Sequence, residues 1–149
     1  MNNDFFYDLS RGAQGETLVA NAFTQMGYEV MSVSKNPMWF KKDVDLMIWD
    51  NDGTQYKFEV KADWSMHRTG NVILELTSKV GTPGWFETTE SDHLVFCDME
   101  NRIGYVFRTE ELRDYVQKDP ELDRGKLNGC ECIILNINNC NSLYQKIRL

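Results

Sequence analysis

The chain of 149 residues has few of the residues that mark special classes of protein. It contains four cysteines and two histidines, and the cysteines lack paired CxxC spacing, which disfavours a structural zinc site and predicts core or incidental thiols in a reducing cytoplasm. Its longest apolar runs are about four residues, whereas a membrane-spanning helix needs roughly 20. The first ten residues contain neither a basic stretch nor a long apolar stretch, so we expect no secretory signal, no membrane partner and a cytoplasmic protein.

Positive charge is also scarce, because 16 Lys and Arg residues face 23 Asp and Glu residues and give a net charge of −7. This balance argues against binding nucleic acid by charge alone. Basic residues are nevertheless concentrated in one stretch, where they are candidates for contacts to DNA phosphates. These candidates are Lys35, Lys41, Lys42 and Arg68. Trp39 and Phe40, beside Lys41, would either stack on an exposed base or pack in the core.

The length and the absence of repeats or linkers predict one domain over residues 1–149. Apolar periodicity predicts a helix from Ser10 to about Met26, with Met26 on its apolar stripe and Gly27 in a left-handed conformation after its end. A second helix is predicted over Thr109–Lys118, with Thr109 as its cap. A loop begins at Asn36. Strands are predicted over Tyr28–Val33, Val44–Trp49, Tyr56–Lys61, Val72–Leu76, His93–Asp98, Ile103–Phe107 and Cys132–Ile137. The pattern predicts an α/β (α+β) fold, in which a central mixed sheet is flanked by helices.

Two carboxylates face each other in the predicted central hairpin. A three-residue loop ending at Gly53 pairs residue 50 with residue 54, and therefore Asp45 with Glu59. Residues paired in this way have Cβ atoms about 4.5–5.5 Å apart on the same face, where like charges repel. We therefore expect either a protonated carboxyl or a cation between them.

Lys61 follows Glu59 by two residues and points to the same face. Two carboxylates and a lysine suit Mg²⁺, which takes one or two carboxylates and keeps several waters, and the lysine would then hold or deprotonate a water that attacks phosphorus. The alternative is a surface hairpin with an ordinary Glu–Lys pair and a strand-edge Asp45.

Glu16 lies at the edge of the apolar stripe of the first helix, so a helix packed on the sheet would aim it at Asp45 and Glu59. Gly12 and Gly15 would allow the close approach that this requires. The alternative is a solvated residue on the flank of the helix.

These residues form an ordered set over about residues 10–62. The set comprises Gly15-Glu16 on the first helix, then Gly27-Tyr28-Glu29-Val30, Asp43-Val44-Asp45-Leu46 and Glu59-Val60-Lys61. It resembles the PD-(D/E)xK nuclease superfamily, and within it the small phage-type and Holliday-junction-resolvase-like members.

The resemblance implies a restriction-endonuclease-like αβββαβ core with extra strands. It implies that Asp45, Glu59 and the Val60 carbonyl bind Mg²⁺, with Mn²⁺ as a substitute. It also implies that Lys61 is the catalytic lysine and that Glu16 is an auxiliary ligand of the metal or of water.

The sequence departs from the superfamily pattern in two places. No proline precedes the acid, so the choice of Asp45 over Asp43 depends on the hairpin register. The usual helix after the Glu-x-Lys strand is replaced by a strand pattern at residues 69–75. Glu75 and Asp92 are either neighbours of the site or, respectively, a solvent-facing acid and a turn residue.

We therefore expect a Mg²⁺-dependent endonuclease that hydrolyses phosphodiester bonds in DNA during processing, repair or recombination, with a homodimer left open. Two alternatives remain: a non-catalytic DNA- or protein-binding module with a nuclease-like fold, and a structural subunit of a larger complex. The facing acids and the lysine favour the enzyme, whereas the net charge of −7 favours the alternatives.

Overall fold

The structure, a computed structural model, describes residues 3–149, with side chains from residue 11 onward. The helices are α1 (Asn3–Gln25), α2 (Pro37–Phe40), α3 (Met66–Thr69), α4 (Trp85–Thr88) and α5 (Thr109–Lys118), and a 3₁₀ turn spans Ile137–Asn139. The strands are β1 (Glu29–Ser32), β2 (Leu46–Trp49), β3 (Gln55–Asp63), β4 (Asn71–Thr77), β5 (His93–Asp98), β6 (Ile103–Arg108), β7 (Arg124–Leu127), β8 (Cys130–Asn136) and β9 (Tyr144–Arg148). None of these described helices is long and apolar enough to cross a membrane.

The strands form two sheets. The larger has six strands in the order β1-β2-β3-β5-β6-β9, and the smaller has three in the order β4-β8-β7. Only the β3–β5 pairing is parallel, and the other pairings in both sheets are antiparallel. The predicted α+β class with a central mixed sheet is therefore confirmed.

The central sheet is buried on both faces, which explains the continuous apolar runs in its middle strands. Along β5, Leu94 and Phe96 join one hydrophobic cluster, whereas Val95 and Cys97 join another. The first cluster contains residues of α5 and the small sheet, and the second contains Val19 of α1. The central sheet thus lies between α1 on one side and the small sheet with α5 on the other.

The end of α1 agrees with the sequence, but its start does not. Gly27 has φ +95°, and the amides of Gly27 and Tyr28 donate to the carbonyls of Thr24 and Phe23, as in a Schellman motif. The helix already begins at Asn3, so the predicted cap at Ser10 is wrong. Met26 follows the end of the helix and is exposed, so its predicted place on the apolar stripe is also wrong.

The predicted register of the central hairpin is confirmed. The Asp50 amide donates to the Thr54 carbonyl over 3.0 Å, and Gly53 has φ +78°. The pairing continues to Leu46 and Phe58, where the ladder ends. Asp45 lies just beyond it and its amide also bonds the Phe58 carbonyl, so the predicted direct pairing of Asp45 with Glu59 is not formed, but their carboxyl groups lie within hydrogen-bonding reach of each other.

Other differences from the predicted elements are local. The loop at Asn36 contains α2, because the Asn36 side chain accepts from the Met38 amide and caps this short helix. Thr109 is buried and is the first residue of α5, whereas Arg108 occupies the cap position. The strand pattern after β3 becomes β4, but β4 belongs to the small sheet.

Gly15 allows α1 to approach β3 closely. A Cβ atom at Gly15 would lie 2.9 Å from the Cβ atom of Ala62 and 3.6 Å from a methyl of Val60. A Cβ atom at Gly12 would meet nothing within 4 Å, so the predicted close approach at Gly12 is wrong. Because Glu16 is the next residue after Gly15, this contact sets the height of Glu16 above the sheet.

Replacing each glycine by alanine distinguishes the close contact at Gly15 from the open position of Gly12. Gly12→Ala replaces an interior helical glycine in open space, so we expect a gain of about 0.5–1 kcal/mol in the free energy of unfolding. Gly15→Ala forces α1 away from Ala62, so we expect a loss of about 1–3 kcal/mol. Urea unfolding of both variants measures the difference. If Gly15→Ala were as stabilising as Gly12→Ala, the close packing of α1 on β3 would be wrong.

Candidate active site

Asp45 lies where the β2–β3 ladder ends. Its amide donates to the Phe58 carbonyl over 2.8 Å, and its carbonyl accepts from the Val33 amide over 2.8 Å. Its side-chain Oδ2 accepts from the Val60 amide over 2.8 Å. The carboxylate thus takes the place of the backbone carbonyl that would otherwise accept from the Val60 amide. This hydrogen bond holds the Asp45 side chain in one orientation.

Glu59 lies within hydrogen-bonding reach of the Asp45 carboxyl group and is only 4% exposed. Its Oε1 lies 2.7 Å from Nζ of Lys61, so the two form an ion pair within β3. Its Oε2 is buried and has no hydrogen-bond partner. A buried carboxylate oxygen without a partner is costly, and this atom is therefore available to a ligand.

Glu16 joins the pair from α1. Ser34 and Asp45 lie within hydrogen-bonding reach of its carboxyl group, and Glu59 and Lys35 lie close enough to influence its charge. The structure therefore brings Glu16, Asp45, Glu59 and Lys61 together, as the sequence predicted for their positions.

Burial dominates the protonation of these acids. It raises the pKa of Asp45 to about 6, with the Glu16 carboxylate acting in the same direction. It raises the pKa of Glu59 to about 8, although the ammonium group of Lys61 opposes this change. Burial also raises the pKa of Glu16. Lys61 is the cation paired with Glu59, and Lys35 acts on Glu16 from outside, so three carboxyl groups outnumber the cations and the cluster favours either bound protons or an added cation.

The ring of Trp85 covers the ammonium group of Lys61. Its Nζ lies 4.4 Å from the centroid of the Trp85 ring, within the range of a cation–π interaction. Trp85 begins α4 immediately after Gly84, where a Cβ atom would lie 2.6 Å from the Glu75 carbonyl oxygen. Only a glycine therefore allows β4 and α4 to pack closely enough to place this indole over Lys61.

Asp43 has a structural position in the turn that leads to Asp45. It has φ +52°, its carbonyl accepts from the hydroxyls of Thr89 and Ser91, and its Oδ2 accepts from the Thr88 hydroxyl. Asp45, and not Asp43, has its carboxyl group within hydrogen-bonding reach of Glu59.

The four basic residues predicted to contact DNA lie in different surroundings. Lys35 lies near Glu16, and Lys41 is exposed on the turn after α2. Lys42 lies 5.5 Å from the ring centroid of Trp39 and 3.7 Å from Glu90, so it is already engaged. Arg68 is exposed on α3 and reaches the Ser65 hydroxyl over 3.5 Å.

Two further acids lie apart from this cluster. Oδ2 of Asp92 accepts from the Lys57 amide over 2.7 Å, and its carbonyl accepts from the Thr109 amide, so Asp92 is a structural residue of a turn. Glu75 is close to Cys130 and Cys132 in the small sheet. The structure therefore favours a place outside the site for both residues. Asp92 is a turn residue as in the stated alternative, whereas Glu75 faces thiols and is only partly exposed instead of facing solvent.

The cluster fits an open magnesium site. Two facing carboxylates and the unpartnered Oε2 of Glu59 are hard oxygen ligands, and the Val60 carbonyl points to the same edge of β3 as its amide. Within the described part of the chain, no three or more His, Cys, Asp or Glu side chains form a ready metal cage. A site with two carboxylates is nevertheless sufficient for Mg²⁺, which retains several waters.

Sequence reasoning missed Trp85 and Ser34. Trp85 is separated from Lys61 by 24 positions, and only the packing of Gly84 on β4 brings the two together. Ser34 follows the edge strand β1 and carries no pattern of its own. Neither residue gives a signal that periodicity or spacing detects.

No protein-family model and no curated protein matches this sequence. Among solved structures, the bacterial homing endonuclease I-Ssp6803I has a similar fold, with a TM-score of 0.52 and 22% sequence identity. The match covers 84% of this chain and 72% of that chain. At this identity the likeness is one of fold, and it supports a nuclease-like architecture.

The raised pKa values predict how stability depends on pH. Between about pH 4 and 8 the folded protein retains protons on Asp45 and Glu59 that the unfolded chain has lost. Stability of the metal-free protein should therefore fall as pH rises through this window. Glu59→Gln removes one of these groups, so its free energy of unfolding should fall less steeply between pH 5 and 8. Urea unfolding at several pH values measures both slopes.

Glu100→Gln is the matched control, because Glu100 is exposed in the β5–β6 turn. It should keep the wild-type slope. Identical slopes for wild type and Glu59→Gln would contradict a raised pKa of Glu59 in the folded state.

Proposed function

We propose that this protein is a Mg²⁺-dependent endonuclease of the PD-(D/E)xK type that hydrolyses phosphodiester bonds in DNA. The observation that carries the proposal is the contact between the Asp45 and Glu59 carboxyl groups, with Lys61 2.7 Å from Glu59 and the Val60 amide bound by Asp45. The nuclease-like fold supports it, and so does a structural neighbour that is a homing endonuclease.

Each residue of the cluster has a role in this proposal. Asp45, Glu59 and the Val60 carbonyl would hold Mg²⁺, with Glu16 as an auxiliary ligand through water. When bound, Mg²⁺ neutralises the charge that develops on the phosphate. Nζ of Lys61 would orient the water that attacks phosphorus and stabilise it as its proton leaves. Lys35, Lys41, Lys42 and Arg68 would contact DNA phosphates. Of these, Lys42 would first have to leave its contact with Glu90.

A second candidate is a module that keeps the nuclease-like fold and binds DNA or protein without cleavage. The net charge of −7 favours its protein-binding form, since any protein that binds DNA gains affinity from positive charge. The facing carboxylates count against it, because binding alone does not need two acids that repel each other.

Cleavage assays and thermal melts separate the two candidates. Wild type should cleave branched, linear duplex or single-stranded DNA with Mg²⁺ or Mn²⁺, but little or not at all with Ca²⁺. Asp45→Asn, Glu59→Gln and Lys61→Ala should each abolish cleavage. Mg²⁺ should raise the Tm of wild type because it binds only the folded site. Asp45→Asn should lose most of this gain while being neutral or stabilising without metal, since it relieves repulsion.

Asp52→Asn, in the exposed hairpin loop, is the matched control and should behave as wild type in both assays. Lys61→Ala removes a compensating cation, so the metal-free protein should lose about 0.5–2 kcal/mol. If Asp45→Asn cleaves DNA normally, or if Mg²⁺ at millimolar concentration leaves the wild-type Tm unchanged, the proposed site is wrong.

Trp85 should affect catalysis through Lys61. Trp85→Leu keeps an apolar side chain but removes the ring, so kcat should fall about 2- to 30-fold, as expected for a cation–π contact, while KM for DNA stays within about twofold. Trp85→Phe should recover part of the loss. The NMR signals of the Lys61 side chain should move when the ring current is removed. Unchanged kcat and unchanged Lys61 signals in Trp85→Leu would show that the indole does not position the lysine.

A further inference from the structure

The turn that contains α2 is well ordered by its own hydrogen bonds. We refer to residues 36–43 as the α2 turn. The Asn36 side chain accepts a hydrogen bond from the Met38 amide over 3.0 Å, and the Asn36 carbonyl accepts one from the Phe40 amide over 2.9 Å. The Val44 amide then donates to the Trp39 carbonyl over 3.1 Å. A side chain exposed on this turn is therefore presented by a fixed backbone.

The α2 turn separates its aromatic residues. Trp39 packs against the small cluster of Val33, Val44 and Met47, and Lys42 covers its ring. Phe40, by contrast, is 70% exposed. The sequence predicts Trp39 and Phe40 as residues that could stack on a base. Of these two, only Phe40 has its ring free to stack.

Phe40 is closely linked to the acid pair. It lies five residues before Asp45, and the carbonyl of Asp43 between them is fixed by Thr89 and Ser91. The next residue, Lys41, is exposed, and no carboxylate of the described residues lies within ion-pairing distance of it. An aromatic ring and an unpaired cation are therefore adjacent on a hydrogen-bonded turn that leads directly into Asp45.

We propose that Phe40 stacks on an unpaired DNA base beside the cleaved phosphate, while Lys41 contacts an adjacent phosphate. A ring beside a cation is the combination that binds single-stranded nucleic acid, because every base has a face on which an aromatic side chain stacks. This inference rests on the proposed function and narrows its substrate to DNA with at least one unpaired nucleotide at the site, as in a branched, bulged or single-stranded molecule.

A second copy of the chain fits this surface less well. A stable interface buries roughly 800 Å² on each partner, whereas an aromatic side chain contributes about 150–250 Å². The nearby Met38 is 54% exposed and adds only one further apolar side chain to this surface. The adjacent free cation also favours a polyanion over an apolar partner.

Fluorescence binding assays in EDTA test the inference without cleavage. The probes are a single-stranded DNA, a duplex with one unpaired 2-aminopurine and a fully paired duplex of the same sequence. Phe40→Ala should bind the first two probes about 5- to 150-fold more weakly than wild type and should bind the paired duplex with less than a twofold change, as expected for one lost stacking contact. Phe40→Trp should retain the affinity and quench 2-aminopurine emission.

Val80→Ala is the matched control, because Val80 is 84% exposed on the loop after β4. It should bind all three probes as wild type does. Equal binding of wild type and Phe40→Ala to the unpaired probes would overturn the inference. So would sedimentation that shows a wild-type dimer converted to monomer by Phe40→Ala, since the ring would then belong to a contact between copies.

The outcomes also separate this inference from the proposed catalysis. If wild type cleaves DNA with Mg²⁺ but Phe40→Ala binds unpaired DNA equally well, only the base contact is wrong. If wild type cleaves no DNA yet loses affinity for unpaired DNA on Phe40→Ala, the base contact holds and the proposed catalysis is wrong. If wild type neither cleaves DNA with Mg²⁺ nor binds any of the probes, both are wrong.

Discussion

The hydrogen bond from the Val60 amide to Asp45 is the constraint on which the rest of the site depends. It lies where the β2–β3 ladder ends and joins the strands through a side chain in place of a backbone carbonyl, and so it fixes a carboxylate beside Glu59. A ladder that continued by backbone bonds alone would leave the Asp45 side chain free to turn toward solvent. Because the amide holds one oxygen of Asp45, the repulsion between the two acids cannot be relieved by moving this side chain.

The repulsion is tolerated because neighbouring elements hold the compensating groups in place. Lys61 supplies one cation from the same strand, and Trp85 covers it from α4. Glu16 adds a third acid, whose approach depends on the absence of a side chain at Gly15. Local stability is thus lower than packing alone would give, as is common where binding or chemistry requires like charges to be buried together.

The part of the site within one hairpin could be predicted from the sequence, because turn chemistry sets register and register sets which side chains face each other. The same local logic predicted the end of α1 at Gly27. It failed for Ser10, since a serine caps a helix only where the helix begins, and α1 already begins at Asn3. It also failed for Trp85 and for the pairing of β4 with β8, because these elements are distant in the chain and meet by tertiary packing that periodicity does not encode.

The hydrogen bonds of Asp43 complete a closed circuit around the two acids. β2 pairs with β3, β3 pairs with β5, and Thr89 and Ser91, just before β5, return to the carbonyl of Asp43 at the entrance to β2. In such a ring, the separation between β2 and β3 at the acid pair cannot widen unless a bond elsewhere in the circuit breaks. The spacing of the backbone beneath the two acids is therefore a property of three strands together, and a cation held by both side chains would meet a distance that no single strand can change.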